Sequence, residues 1–310
     1  MSKRNTLLAI LALTVAGTVT AQRMGRPMRR HTATETRPLR LVPATQRAAA
    51  SDAPEISEAD GYRYVRSSGV PEHKVGRFPN RGNPNPIRPQ RYTYRMPLSP
   101  VEASRVTPAN RAAFGVAING TPFDPGAAEF WQGDPRSGWV YEALGGAVAL
   151  GLDANHAHVQ PTGAYHYHGL PTGLLAKLGV AVADPSAGAH SPIVGWAADG
   201  FPIYALYGYS DPESSDSQVT EMRASWRLKS GERPGGARAP SGPHDGAFIA
   251  DYEYVAGLGD LDECNGRRCV TPDFPDGVYA YFLTRDWPVI PRQWRGRPDR
   301  SFFKGPPPRR

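Results

Sequence analysis

The sequence predicts a mostly β fold: a single sandwich- or barrel-like domain of many short strands with long loops, preceded by a disordered N-terminal linker. Three observations predict it. Short apolar or alternating runs recur from Tyr92 to Thr284, and almost none has the 3.6-residue period of a helix. Gly and Pro, 33 and 32 of 310 residues, punctuate those runs too often for long regular elements. The stretch before Tyr92 holds few large apolar residues and no sustained period, so it lacks the means to build a core of its own.

In chain order, residues 1–21 read as a signal peptide. Lys3 and Arg4 form a basic start, Leu7 to Val19 is apolar, and Val19-Thr20-Ala21 places small residues where a signal peptidase cuts, so cleavage is expected after Ala21. The apolar run is shorter than the ~20 residues of a bilayer span. No later stretch is long or apolar enough to span, and a secreted or periplasmic protein is expected. Residues 22–90 are the Pro/Arg-rich linker, in which Gly61 to Val65 could be a lone strand and Asn80 to Pro89 an extended, ungathered segment. The β domain runs from 91 to 303, and 304–310 form a basic tail.

Within the domain, Tyr92 to Met96 alternates as a half-buried strand. Phe114 to Ile118 is a second strand, closed by the Asn119-Gly120 turn. Thr121 to Trp131 reads as loop and Gly138 to Leu152 as irregular strand. Thr172 to Gly179 fits one or two helical turns, with Thr172 as cap and Gly179 as stop. Ile193 to Trp196 and Phe201 to Tyr207 are short strands around Ala198-Asp199-Gly200. Glu213 to Ala239 reads as a surface excursion, Phe248 to Val255 as an alternating strand, and Gly277 to Thr284 as the last strand.

Charge is segregated. Residues 1–91 carry 16 Lys/Arg against 6 Asp/Glu, residues 92–291 carry 13 against 22, and the remainder 7 against 1. The basic pI thus belongs to the ends of an acidic body. Basic ends on an exported chain suit cell-envelope polymers or a membrane surface, or serve as solvated linkers. Nucleic acid is a poor partner, because the cations lie outside the structured part.

Four of the eight histidines fall in Asn155 to Gly169. Alternation along a strand puts His156 with His158 on one face, and His166 with His168. Pro161-Thr162-Gly163 fits a three-residue hairpin loop, with Pro fixing φ and Gly taking the left-handed position. A loop centred on Thr162 sets His158 opposite His166 and His156 opposite His168. Opposed residues have Cβ atoms ~4.5–5.5 Å apart, so their imidazoles can converge on one ion. All-nitrogen sites suit copper or zinc, with iron or nickel as alternatives. Tyr165 and Tyr167 fall on the other face, as core or supporting groups. Without a metal, the same hairpin would be a stack of hydrogen-bonded histidines.

Further ligand candidates are His244, beside Asp245, and Asp199, which could be a ligand, a group that orients a histidine, or a turn aspartate. His190, among Ala, Gly and Ser, reads as an exposed loop residue. Gly259 to Gly266 has the acidity of a calcium loop but not its spacing, since Cys264 and Asn265 stand at positions five and six. Cys264 and Cys269 are expected to form a disulfide in an oxidising compartment; the alternative is Cys264 as a thiolate ligand.

Several of these motifs carry a resemblance. Gly163-Ala164-Tyr165-His166-Tyr167-His168-Gly169 resembles the motif that names the YHYH domain family. Asn119-Gly120, Gly151 to Asn155, Ala198 to Tyr204, Asp251 to Tyr254 and Gly259 to Gly266 extend the match, over about residues 91–303. The resemblance implies an exported bacterial domain and specifies no reaction. In such domains the second aromatic strand often reads Tyr-His-Tyr; here Ala280 stands in the middle, so if that histidine completes a metal site, this chain either lacks a ligand or uses His156 or His244 instead.

Two functions follow. The first is a secreted or periplasmic metal-binding protein, with His158, His166 and His168 as leading ligands and His156 next, serving either to hold the ion or to use it in a reaction. The second is a non-enzymatic cell-envelope module with aromatic strands as its contact surface. Tyrosinate–iron chemistry is disfavoured, because Tyr165 and Tyr167 point away from the imidazoles. No phosphate-binding loop or nucleophile elbow is present.

Overall fold

The computed structural model describes residues 30–180, 182 and 188–303, and strand is its dominant regular structure. The expected signal peptide with its expected cleavage position, and the basic tail 304–310, lie outside the described residues. The body is organised by one eight-stranded sheet. Its strands in chain order are β1 (Gly115–Ala117), β2 (Pro122–Phe123), β3 (Ala157–Val159), β4 (Tyr165–Tyr167), β5 (Ile193–Ala197), β6 (Pro202–Tyr204), β7 (Gly266–Thr271) and β8 (Phe274–Phe282). Across the sheet they run β7-β8-β6-β5-β1-β2-β4-β3. The end strands do not pair, so the sheet is open and the barrel alternative is excluded. Pairs β2–β4 and β6–β8 are parallel; the other pairs are antiparallel.

The central strands are short because they are crowded. A Cβ at Gly115 would lie 2.5 Å from the Trp196 carbonyl oxygen, and one at Gly195 would lie 2.4 Å from that of Val116. Glycine at these positions lets β1 and β5 approach while Val116, Val194 and Ala197 fill the core. Phe114, Tyr281 and Trp294 pack together there, and the Trp294 indole donates to the Phe114 carbonyl at 2.8 Å. The helix spans Thr172–Lys177, with Gly179 at φ +72° beyond its end. Thr172 is its first residue rather than its cap, and the Thr172 hydroxyl donates to the Ala154 carbonyl instead.

The structure corrects the extent of the expected linker. Residues 30–90 are packed onto the body. Glu55–Ala59, Tyr62–Ser67 and Tyr92–Pro97 form a three-stranded antiparallel sheet, and Gln46–Arg47 pairs with Lys74–Val75. Val65, Val70 and Val75 are buried. Composition judges a segment by the core it could build alone, and this one borrows its core from the rest of the chain. The Asn80 to Pro89 stretch has a specific task. β3 is an edge strand, and the side-chain amides of Asn83 and Asn85 both donate to its Val159 carbonyl, at 2.9 and 2.8 Å. The Arg88 amide donates to the Gly163 carbonyl at 2.9 Å. The edge is thereby covered, as exposed strand edges need to be.

Smaller differences follow from the same long-range packing. β2 lies within the expected 121–131 loop. Gly138 to Leu152 forms no strand, only isolated bridges such as Tyr141 with Phe248. The 213–239 excursion contributes strands Val219–Glu221 and Trp226–Leu228 and a buried ion pair of Arg233 with Asp251.

Candidate metal centre

Strands β3 and β4 form the expected hairpin in the expected register: His158 opposite His166, Val159 opposite Tyr165, Ala157 opposite Tyr167. The turn sets that register. Gly163, at φ +93°, donates its amide to the Gln160 carbonyl at 2.8 Å, and the Gln160 amide reaches the Ala164 carbonyl at 2.9 Å.

On one face of the hairpin, His158, His166 and His168 converge. Their ring centroids form a triangle with 4.7 Å on every side. The Nε2 atom of His168 lies 3.0 Å from that of His166 and 3.1 Å from that of His158. His166 and His168 are buried; His158 is half-buried. The opposite nitrogens face backbone carbonyls: His158 Nδ1 meets Leu150 at 3.1 Å, and His166 Nδ1 meets Ala164 at 3.2 Å. A carbonyl only accepts, so each of these Nδ1 atoms carries its proton. In the neutral rings, both Nε2 lone pairs then point at His168 Nε2. A single cation could accept a lone pair from all three rings at once. The fit is close: a four-coordinate zinc with nitrogens at ~2.0–2.1 Å sets them ~3.3 Å apart, a few tenths of an ångström wider than the distances here. The Nδ1–H to carbonyl bonds are the outer contacts that orient metal-binding imidazoles.

The structure gathers three of the six predicted ligands. These are the one group of three or more such side chains, among the described residues, whose ligand atoms lie within 4.8 Å of one another. His156 stands apart. Its amide position continues the ladder, with His168 N–H donating to its carbonyl at 2.8 Å, but its φ of +51° swings the ring away. Its Nδ1 meets the Leu170 carbonyl at 2.9 Å and the side chain lies against Gly169, where a Cβ would come 3.0 Å from the His156 Cβ and 3.3 Å from its ring Cγ. His244 sits in its loop with Nδ1 on the Gly231 carbonyl at 3.1 Å. Asp199 is a turn aspartate: it accepts from the Tyr281 hydroxyl at 2.6 Å and the Gly296 amide at 2.8 Å, and so ties the β5–β6 turn to strand Gln293–Gly296. Burial pushes its carboxyl up to about 6. His190 is half-buried between Tyr204 and Tyr209 rather than exposed.

The expected disulfide is absent. Both cysteines are free and buried. Cys269 lies on extended β7, three residues past the strand's start at Gly266, so the chain runs away from Cys264 instead of folding back on it. Cys264 packs in the main core and Cys269 in a separate cluster behind it. Cys264 does not join the histidine cluster either: it is buried in the core, where burial also raises its thiol.

The other face of β4 holds the two tyrosines, as alternation requires. The Tyr165 hydroxyl donates to Asp153 at 2.8 Å. The Tyr167 hydroxyl meets His73 Nε2 at 2.5 Å and accepts from the Asn119 amide at 2.9 Å. Burial keeps both phenols protonated and lowers the proton affinity of His73. Asn119 and the Gly151 to Asn155 motif are thereby explained as supports of the hairpin.

The triad opens on a cavity of about 460 Å³. His31, Arg111 and Glu129 also line it, and Glu129 is the one acidic side chain on its wall. Sequence reasoning missed all three. His31 lay in the supposed linker and reaches the cavity through a parallel bridge to Trp131. Nothing in the linear order links these residues to the hairpin.

Residues 93–296 match the model of a family described as YHYH protein. No curated protein and no solved structure matches the chain. The match covers well over half of the sequence, contains the whole histidine hairpin and all of β1 to β8, and shows that the chain belongs to the YHYH protein family.

Proposed function

We propose that this is an exported metal-binding protein, with a copper or zinc ion held by the Nε2 atoms of His158, His166 and His168. The observation that carries the reading is the convergence of three imidazoles, with His168 Nε2 3.0 and 3.1 Å from the Nε2 atoms of His166 and His158, while His158 and His166 present their Nδ1 atoms to carbonyls. Three protein ligands on the floor of a cavity leave a coordination position for water or substrate, which is the arrangement of catalytic rather than closed structural sites. Such an ion acidifies bound water or polarises a bound oxygen. Glu129, on the same wall, would be the carboxylate to take or return a proton. Export is supported by the leader-like Lys3 to Ala21 sequence.

Equilibrium dialysis of chelator-stripped protein against zinc and copper tests this. One ion per chain is expected for the wild type, and none for His158→Ala, His166→Ala or His168→Ala. A wild-type chain that retains no ion, or triad variants that retain one, would overturn it.

A further inference from the structure

A second cavity, of about 530 Å³, adjoins the metal cavity: Arg111, Gly126 and Ala127 line both. Its wall is largely apolar, with Phe130, Val140, Trp226, Ile249, Trp287 and Pro288. Its aromatic surface is held rigidly. Trp226 packs edge-on against Trp287 at 4.9 Å, and Trp287 stacks on Tyr252 at 4.2 Å. At the junction stands Arg111. It is exposed, and it makes no hydrogen bond or ion pair with any other described residue. The other groove arginine differs: Arg292 is neutralised by Glu142 at 2.8 Å.

We propose that the two cavities form one binding site for an organic anion with an apolar, preferably aromatic, body. Its carboxylate, or an equivalent acid group, lies at Arg111 with the metal ion beyond it, and its body fills the groove. This inference rests on the triad holding a cation. Charge decides the polarity of the ligand. A metal held by three neutral imidazoles keeps its full double positive charge, and Arg111 adds a further cation in the same cavity; together they outweigh the two carboxylates that line the cavities, Glu129 and Glu263. The acidic body as a whole would repel an anion, so the attraction is confined to this junction. A guanidinium offers a planar fork of donors that matches a carboxylate. An apolar cleft with a few convergent polar groups is the general form of a small-molecule site.

The test uses the full chain, loaded with zinc, titrated calorimetrically with 2-naphthoate and with its neutral counterpart 2-naphthylmethanol. The carboxylate is expected to bind at least about tenfold more tightly than the alcohol. Arg111→Gln, a change at an exposed side chain, is expected to abolish that preference while metal content stays at one ion per chain. Equal affinities, no binding of either compound, or a preference that survives Arg111→Gln would overturn the proposal. Metal content is measured on the same samples, so a chain that takes up no ion refutes the metal centre separately. The titration of that metal-free chain still decides the groove: a carboxylate preference abolished by Arg111→Gln supports it, and the absence of one refutes it.

Discussion

The two faces of β4 carry side chains of similar burial and opposite organisation. On one face, Tyr165 and Tyr167 are almost completely buried, and each hydroxyl is matched within the fold, to Asp153 and to His73 with Asn119. On the other, His166 and His168 are as deeply buried, yet with His158 they turn their Nε2 atoms on one another above a cavity. The tyrosine face is complete as protein. The histidine face presents three ligand nitrogens to a space that could hold a cation. One strand of three residues with its flank serves both ends, because side chains alternate and one edge of the sheet is backed by core while its reverse is open.

Changes on the closed face should affect stability most. Tyr165→Ala is expected to lose about 3–5 kcal/mol in urea unfolding of the metal-free protein, the range for deleting a buried aromatic ring. A loss below about 1 kcal/mol would show that the face is not core. The open face should respond to metal instead. Zinc at a thousandfold excess over its Kd should stabilise the wild type by about 4 kcal/mol, and His166→Ala by nothing measurable. Equal stabilisation of the two proteins would remove the distinction between the faces.

Burial raises the Asp199 carboxyl from 3.8 to about 6. A group raised on folding contributes stability that is fully present below its unfolded value and lost as pH rises through its folded value. The contribution should therefore fade between pH 3.8 and 6, by about 3 kcal/mol in all. Urea midpoints measured with chelator, for wild type against Asp199→Asn, should diverge across that window; parallel curves would contradict the assignment. The smallest effect is expected at His156. His156→Gly relieves the φ of +51° and removes one hydrogen bond to Leu170, so stability should change by less than about 1 kcal/mol and metal content not at all.

The hairpin was legible because its determinants are local. Pro161-Thr162-Gly163 fixes the register, and period-two alternation then assigns imidazoles to one face and phenols to the other. The mostly β class was legible for the same reason, from turn residues and alternation. What escaped depended on single dihedral angles or on distant partners. One left-handed residue removed His156 from the cluster, although its backbone keeps the register. The cysteines looked bridged across an Asn-Gly turn, but the chain extends as β7 from that turn and separates them. Residues 30–90 looked unstructured because their partners lie elsewhere: Val159 for Asn83 and Asn85, Tyr167 for His73. His31, Arg111 and Glu129 meet the triad only through tertiary packing.

X-ray absorption at the metal edge tests the centre most directly, because it counts ligands whatever the protein does with the ion. The account predicts three imidazole nitrogens at ~2.0–2.1 Å for zinc, with light-atom scattering from solvent in the remaining position. His156→Gln should give the same spectrum, and His166→Ala should yield no specifically bound ion. A fourth imidazole that disappears in His156→Gln, or a sulfur shell from Cys264, would contradict it.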